Sequence, residues 1–239
     1  MSWFLSDANV LKYAHWGLKY LPYCIRKMCK DDVKQVLDID REAFPTQWPP
    51  PNYVHELQNR LAHYIIVGED GETTEAPHGE TPPRSQRGRL VARLMRLFGR
   101  NHTVSNEPSG NSVDHILGFA GFWIMADEAH ITSIAVREPL RGKGIGELLL
   151  IGVFDLAREL EIGFITLEVR VSNIVAQTLY FKYGFNKTGL RRGYYTDNRE
   201  DAIIMSTENI NSPAFKERIQ QLREAHAHKW GAALSQPLH

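Results

Sequence analysis

The sequence has few cysteines, no long apolar run and no excess of charge of either sign. Cys24 and Cys29 are the two cysteines among 239 residues, and two thiols do not supply the four ligands of a structural zinc site. We therefore expect a reduced pair and no metal. No stretch approaches the roughly 18 apolar residues of a transmembrane helix. The N-terminus also lacks the basic and apolar segments of a signal peptide, so we expect a cytoplasmic protein.

The absence of net charge limits the choice of partners. Lys and Arg total 28 and Asp and Glu total 28, so the chain as a whole does not favour nucleic acid or membranes. Any such contact must depend on a local patch. The length fits one elaborated domain or two small ones, and it is sufficient for a sizeable hydrophobic core.

Changes in composition divide the chain into a core with additions. We predict a core domain over residues 23–210, interrupted by a flexible insert at 69–114 that is rich in Gly, Thr, Pro and polar residues. Residues 211–239 form a C-terminal extension, in which we expect a helix that begins at Pro213. Residues 1–22 form an N-terminal extension with scattered aromatic residues. This segment either packs on the domain or lies on a membrane surface, although it lacks a basic cluster.

The insert contains one segment with helical periodicity, at residues 87–100. Its basic residues and its apolar residues form adjacent helical stripes, namely Arg89, Arg93, Arg96 and Arg100 beside Leu90, Leu94, Leu97 and Phe98. Two interpretations remain open. The segment contacts RNA, a membrane or an acidic partner, or it is a solvated helix that packs on its own domain.

Alternating and helical hydrophobic patterns predict an α/β fold. We expect strands near residues 23–28, 64–68, 116–125, 130–136, 164–171, 186–194 and 201–207. Helices are expected after a cap at Asp31 or Asp32, through Leu57 and Leu61, and over 147–160, 174–183 and 213–226. The predicted architecture is a mixed sheet of about seven strands with helices on both faces.

A glycine-rich turn between a strand and a helix is the most informative motif. Arg-Gly-Lys-Gly-Ile-Gly occupies residues 141–146, and helix-initial amides at such a turn bind phosphate. A P-loop is excluded because Gly144, not Ser or Thr, follows Lys143. A dinucleotide-binding turn lacks its third glycine, because Glu147 and Leu149 occupy the positions where that glycine would be. The acidic Glu168, about 20 residues further on, keeps this alternative open.

The turn resembles the Gln/Arg-x-x-Gly-x-Gly/Ala motif of GNAT acyltransferases. The similarity extends over residues 23–207 apart from the insert, and it includes Leu-Glu-Val-Arg-Val-Ser-Asn at 167–173, Arg-Arg-Gly-Tyr-Tyr at 191–195 and Arg-Glu-Asp-Ala-Ile-Ile-Met at 199–205. These segments resemble the bacterial ribosomal-protein-alanine N-acetyltransferases. The resemblance implies the GNAT acyl-CoA N-acyltransferase fold, acetyl-CoA as co-substrate and a protein N-terminus as acceptor, with a ribosomal protein as a candidate.

The resemblance also implies roles for particular residues. Glu168 matches the general base and Tyr180 the general acid of the family. The coenzyme A contacts are Ile134, Ala135, Val136, Arg141, Gly142, Lys143, Gly144, Ile145, Gly146, Glu147 and Asn173. The residues that flank the acceptor are Phe44, Pro45, Tyr194 and Tyr195. The roles of Arg191 and Arg192 remain open. His130 differs from the residue types expected on its strand and is predicted to be structural.

These residue types suit direct transfer within a ternary complex. An α-ammonium group has a pKa of about 8, compared with about 10.4 for lysine, so a carboxylate removes a weakly held proton. The alternatives are acetylation of lysine or of a small amine, and a binding module that senses acyl-CoA without catalysis.

Overall fold

The computed structural model describes residues 20–46, 49–69 and 115–235. Within this part of the chain, eight strands form one mixed sheet in the order β6-β7-β5-β4-β3-β2-β1-β8. The strands are β1 (Tyr20–Lys27), β2 (Ala62–Glu69), β3 (Ile116–Met125), β4 (Glu128–Val136), β5 (Phe164–Arg170), β6 (Phe185–Tyr195), β7 (Glu200–Thr207) and β8 (Ala232–Ser235). Neighbours are antiparallel except for the pairs β4–β5 and β1–β8. The expected N-terminal extension up to residue 19 and insert residues 70–114, including segment 87–100, lie outside the described residues.

Five α-helices accompany the sheet in the described ranges. They are α1 (Val33–Ala43), α2 (Tyr53–Glu56), α3 (Ile145–Glu159), α4 (Ile174–Lys182) and α5 (Pro213–Trp230). Short 3-10 turns precede α1 at Lys30–Asp32 and α3 at Glu138–Leu140. None of these helices is long and apolar enough to cross a membrane.

The sheet separates two hydrophobic clusters. Side chains alternate between the faces of a strand, so β2 directs Ile65 and Val67 to one cluster and Tyr64 and Ile66 to the other. Helices α1 and α2 cover the smaller cluster, while α3 and α5 contribute to the larger. The sequence-based prediction of a mixed sheet with helices on both faces is confirmed.

Helix α3 is the buried centre of the larger cluster. Its Phe154 packs against the rings of Tyr183, Phe185 and Phe215, with centroid separations of 5.4–6.4 Å. A helix that is apolar around most of its circumference is stable only when it is enclosed. The core therefore fixes α3, and with it the glycine turn at its N-terminus.

The terminal assignments need correction. Residues 20–22, assigned to the N-terminal extension, belong to β1. The C-terminal extension contains a strand, β8, as well as the expected helix, and this strand makes the sheet eight-stranded. A strand of four residues carries too little hydrophobic periodicity to be recognised from sequence.

Of two local predictions, the one near α2 was wrong and the one at the start of α1 is confirmed only in part. The helix expected to extend through Leu57 and Leu61 ends at Glu56, because the Asn59 side chain accepts the Leu61 N–H at 3.1 Å and favours a turn. Asp32 is the N-cap residue of α1, as expected, but its side chain makes no capping hydrogen bond to this helix. Its carboxylate accepts the Cys29 N–H at 2.8 Å and pairs with buried Arg26 at 2.6 and 2.8 Å.

Candidate functional site

A cleft opens where strands β4 and β5 stop pairing. Their parallel register covers Glu128–Ile131 on β4 and Phe164–Leu167 on β5. In β4 the partner of Gly121 is Ser133 and the partner of Phe122 is Ile131, so Thr132 is an extra residue that forms a bulge. A bulge bends its strand and increases its twist, which accounts for the loss of pairing beyond Ile131.

The cleft between the two strands has a volume of about 830 Å³. It brings together all of the predicted catalytic and acceptor residues with two of the residues predicted to contact coenzyme A. Those that line it are Phe44, Pro45, Ile134, Glu168, Asn173, Tyr180, Tyr194 and Tyr195. Ala135, Val136 and residues 141–147 do not line it, so the glycine turn is a separate feature of the surface.

Glu168 is a buried carboxylate just beyond the last residue of β5 that pairs with β4. Its side chain is 5% exposed. Oε2 lies 3.0 Å from His130 Nε2, and Oε1 lies 3.1 Å from an Arg191 guanidinium nitrogen. A buried carboxylate requires such partners, because removing it from water without compensation is costly. The Arg191 side chain is 53% exposed, so this partner can move toward solvent.

The structure places His130 against Glu168, a contact that the sequence did not predict, and a structural role for His130 stays a prediction. His130 pairs with Thr166 in the β4–β5 register, and Glu168 follows two residues later on the same face of β5. The imidazole therefore lies beside the carboxylate inside the cleft. Arg191, whose role the sequence left open, also contacts Glu168. The sequence contains both residues but not the register that brings them to Glu168.

Tyr180 contributes a phenol to the same cleft from α4. Its ring lies 5.6 Å, centroid to centroid, from that of Phe185. Burial, with a smaller contribution from Tyr195, raises the pKa of Tyr180 well above its ordinary value. The phenol therefore stays protonated at neutral pH. A carboxylate and a protonated phenol in one cleft can accept and donate protons respectively.

The loops at the cleft are tied to one another. Thr46 Oγ1 donates to Asp197 Oδ2 at 2.8 Å, which joins the segment after α1 to the turn between β6 and β7. Arg170 bonds the same Asp197 oxygen at 2.8 Å, and its Cζ lies 3.8 Å from the centre of the Tyr195 ring. Burial raises the pKa of Tyr195 to about 12 although the Arg170 charge opposes the shift. The two segments that contain the residues predicted to flank an acceptor are thus joined at the rim of the cleft.

The glycine turn has the backbone geometry expected of an anion site. Gly142 and Gly144 have φ values of 76° and 83°, in the left-handed region that favours glycine. Gly144 is the N-cap of α3, and its carbonyl accepts the Leu148 N–H at 3.0 Å. The amides of Ile145, Gly146 and Glu147 therefore precede the first helical hydrogen bond.

Three residues predicted to contact coenzyme A form hydrogen bonds within the protein through their side chains. The Asn173 side chain caps α4 by accepting the Ala176 N–H at 3.1 Å. The Glu147 carboxylate accepts from Lys182 at 2.6 Å and from Tyr183 at 3.0 Å. Arg141 donates to the Val136 carbonyl at 3.3 Å. The side chains of Glu147 and Arg141 thus support the turn, whose backbone amides remain the predicted contacts.

In the described ranges, no group of three or more His, Cys, Asp and Glu side chains is arranged to hold a metal ion. The expectation that the reaction needs no metal stays a prediction. The site consists of side chains that are chemically able to accept and donate protons, and of a turn whose geometry suits phosphate.

Sequence comparison identifies relatives with named activities. Residues 33–185 match the acetyltransferase (GNAT) family model. A Bacillus subtilis (strain 168) protein provisionally named ribosomal protein bS18-alanine N-acetyltransferase is 32% identical over 182 residues, covering 76% of this chain and 92% of that protein. An N-alpha-acetyltransferase of Sulfurisphaera tokodaii is 31% identical over 185 residues, covering 77% and 92%.

Solved structures agree with the fold. The crystal structure of the Escherichia coli ribosomal-protein-S18-alanine N-acetyltransferase has a TM-score of 0.56 and 24% identity, covering 78% of this chain and 94% of that one. Ard1 from Thermoplasma volcanium also has a TM-score of 0.56, with 20% identity and coverage of 79% and 99%. At these identities the likeness shows the fold. Together with the match over residues 33–185, it establishes that the chain belongs to the GNAT acetyltransferase family and is an acetyltransferase.

Proposed function

We propose that this acetyltransferase moves the acetyl group of acetyl-CoA to the α-amine of a protein N-terminus. The candidate acceptor is a ribosomal protein that begins with alanine. The observation that carries the proposal is the buried Glu168 carboxylate in a cleft that also holds Tyr180 and the rim residues. Two relatives that cover most of this chain are named as an N-alpha-acetyltransferase and, provisionally, a ribosomal protein bS18-alanine N-acetyltransferase.

Glu168 acts as the general base in this proposal. The α-ammonium group of an acceptor has a pKa of about 8, so a carboxylate can remove its proton directly or through one water. The incoming ammonium replaces the guanidinium of Arg191, which is half exposed and can leave without burying its charge. His130 Nε2 remains 3.0 Å from Glu168 Oε2, and this contact holds the carboxylate in the cleft.

Acetyl-CoA lies at the point where β4 and β5 separate, with its pyrophosphate at the glycine turn. The helix-initial amides of Ile145, Gly146 and Glu147 supply hydrogen bonds and the positive end of the α3 dipole. Beyond Ile131 the β4 backbone is no longer paired with β5. The Arg137 N–H donates to the Leu117 carbonyl of β3, so by alternation the amides of Ile134 and Val136 face the splayed side, where either can stabilise the oxyanion that forms on the thioester. Asn173, at the start of α4, lies at the edge of this path.

Tyr180 protonates the departing thiolate. A buried phenol with a raised pKa retains its proton until the reaction generates an anion beside it. The neutral amine attacks the thioester carbonyl, the C–S bond breaks as the tetrahedral intermediate collapses, and the sulfur leaves with the Tyr180 proton. The extra proton that remains on the new amide nitrogen is then lost and restores the Tyr180 phenol. Transfer is direct within a ternary complex, and neither a metal nor an acyl-enzyme takes part.

Replacing Tyr180 with phenylalanine should lower kcat by about tenfold. The effect is modest because a thiolate with a conjugate-acid pKa of about 8.5 leaves fairly well without a proton donor. Phenylalanine preserves the packing against Phe185, so Tm and the Kd for coenzyme A should not change. Single-turnover rates with saturating acetyl-CoA measure the effect. A rate equal to that of the unmodified protein would remove Tyr180 from the mechanism.

A panel of acceptors tests the proposed function. One peptide begins with free alanine, a second has a blocked α-amine and one free lysine, and the third acceptor is a polyamine. Release of coenzyme A thiol should be fast only with the first peptide. Preference for the blocked peptide or for the polyamine would assign the enzyme to lysine or small-amine acetylation. Tight binding of acetyl-CoA with no transfer to any amine would indicate a sensing module.

A further inference from the structure

Helix α5 lies outside the family match at 33–185 and contacts the glycine turn directly. Two of its side chains reach Gly144, the N-cap of α3. His226 Nε2 lies 3.0 Å from the Gly144 carbonyl oxygen. The Trp230 ring packs on the same residue, such that a Cβ added at Gly144 would lie 2.7 Å from Trp230 Cδ1. The mechanism proposed above uses neither side chain.

The His226 contact adds a second hydrogen bond to a carbonyl that already accepts the Leu148 N–H at 3.0 Å. A carbonyl oxygen only accepts hydrogen bonds, so His226 is the donor through Nε2–H. Burial lowers the pKa of His226, which keeps the ring neutral with its proton on this nitrogen. In a trans peptide the carbonyl and the following N–H point in opposite directions. The bonds from His226 and Leu148 together hold the Gly144 carbonyl, and through the planar peptide they also hold the direction of the Ile145 N–H.

The Trp230 ring packs against Gly144 on the side where a Cβ would project. In the described part of the chain its Nε1 is buried and has no hydrogen-bond partner, so the contact with Gly144 is one of ring packing. The ring occupies the space next to a backbone with a φ of 83°, and glycine by itself populates positive and negative φ about equally. The packing thus favours the left-handed state of Gly144 over alternatives that would move its backbone into the ring.

Helix α5 is itself firmly attached, so it can act as a support. Phe215 and Ile219 are buried in the larger hydrophobic cluster. Arg223 forms an ion pair with Asp155 on α3. Arg218 donates to the carbonyl oxygens of Phe181 and Lys182 at the end of α4, at 3.3 and 3.1 Å. The helix therefore contacts both helices that border the donor path.

We propose that His226 and Trp230 are positioning residues for the acetyl donor. They hold the turn at Gly144 in the conformation that presents the α3 amides to the pyrophosphate of coenzyme A. This inference rests on the proposed function, in which that turn binds acetyl-CoA. Helix α5 accordingly contributes to the acetyl-CoA site, although neither His226 nor Trp230 touches the reacting atoms.

Calorimetric titration of the full chain with coenzyme A, combined with steady-state kinetics, tests the proposal. Losing one oriented hydrogen bond corresponds to about a tenfold change in affinity. His226→Ala should therefore raise the Kd for coenzyme A and the KM for acetyl-CoA by about tenfold. The kcat at saturating donor and the KM for the peptide should stay within about twofold. His226→Gln, whose amide can donate to the Gly144 carbonyl, should recover most of the affinity.

Two further variants separate support of the turn from general stability. Trp230→Ala should weaken donor binding, whereas Trp230→Phe should preserve it because the ring contact needs no N–H. Lys216→Ala, at an exposed position of α5, is the matched control and should bind coenzyme A as the unmodified protein does. If His226→Ala fails to fold, the comparison of His226→Gln with the Trp230 variants decides the question.

The outcomes distinguish this inference from the proposed function. Unchanged Kd values in His226→Ala and Trp230→Ala would overturn the positioning role while leaving the donor site intact. A fall in kcat without any change in Kd would also overturn it. If the unmodified chain does not bind coenzyme A, the result overturns the proposed function and, with it, the positioning role.

Discussion

Replacing Glu168 with glutamine should lower kcat by about 10²–10⁴-fold while the fold and donor binding persist. General base catalysis typically contributes a factor of this size. Glutamine has the shape of glutamate but cannot take up the proton of the α-ammonium group. Stopped-flow measurement of thiol release with saturating acetyl-CoA and an alanine-initiated peptide reports kcat directly. Calorimetry should find a Kd for coenzyme A within about twofold of the unmodified protein, because Glu168 lies in the cleft away from the turn.

The burial of Glu168 makes a control for stability necessary. The carboxylate compensates the charge of Arg191, and the amide does not. Arg191 is half exposed and can turn toward water, so we expect little loss in Tm. The same substitution at exposed Glu208 serves as the matched control and should leave both kcat and Tm unchanged. Activity of Glu168→Gln within twofold of the unmodified protein would show that another group removes the proton, and His130 would then be the nearest candidate.

Replacing Gly144 with alanine should raise the KM for acetyl-CoA by roughly 10²-fold, equivalent to about 3 kcal/mol. Two penalties add. A non-glycine residue is strained at a φ of 83°, and its Cβ would lie 2.7 Å from the Trp230 ring. Either the turn changes its backbone conformation or the ring moves, and both outcomes disturb the amides that face the donor. Initial rates over a range of acetyl-CoA concentrations measure the effect, and the KM for the peptide should be almost unchanged.

Other glycines separate the two penalties at the turn. A Cβ at Gly142 meets no atom within 4 Å, so Gly142→Ala carries the backbone strain of a φ of 76° without a steric clash and should cost less. Gly163→Ala, where a Cβ makes ordinary contacts beginning at 3.6 Å, should behave as the unmodified protein. The double variant Gly144→Ala with Trp230→Ala should relieve the clash but not the strain. A normal KM for Gly144→Ala would contradict the assignment of this turn to the donor.

Most of the strands and helices could be predicted because their patterns are local. The alternating residues of β3, β4 and β5, the glycines before α3 and the proline at the start of α5 depend on short-range periodicity and caps. Glu168, Tyr180 and the two rim segments could be proposed through a family resemblance, and the structure places them in one cleft.

The remaining features depend on contacts between distant parts of the chain. The bulge at Thr132 adds one residue to a regular pattern, yet it decides where β4 leaves β5. The approach of His130 to Glu168 requires a strand register separated by a whole helix. The packing of His226 and Trp230 on Gly144 joins residues more than eighty positions apart. No local pattern contains such information.

Mass spectrometry of ribosomal protein N-termini tests the central claim most directly. Small-subunit proteins that carry free α-amines are incubated with acetyl-CoA and the full chain, or with its Glu168→Gln variant, and their N-terminal peptides are compared. We predict one acetyl group on the α-amine of a protein that begins with alanine, formed rapidly by the unmodified chain and hardly at all by the variant. Acetyl groups found only on lysine side chains, or equal α-acetylation by both proteins, would contradict the account.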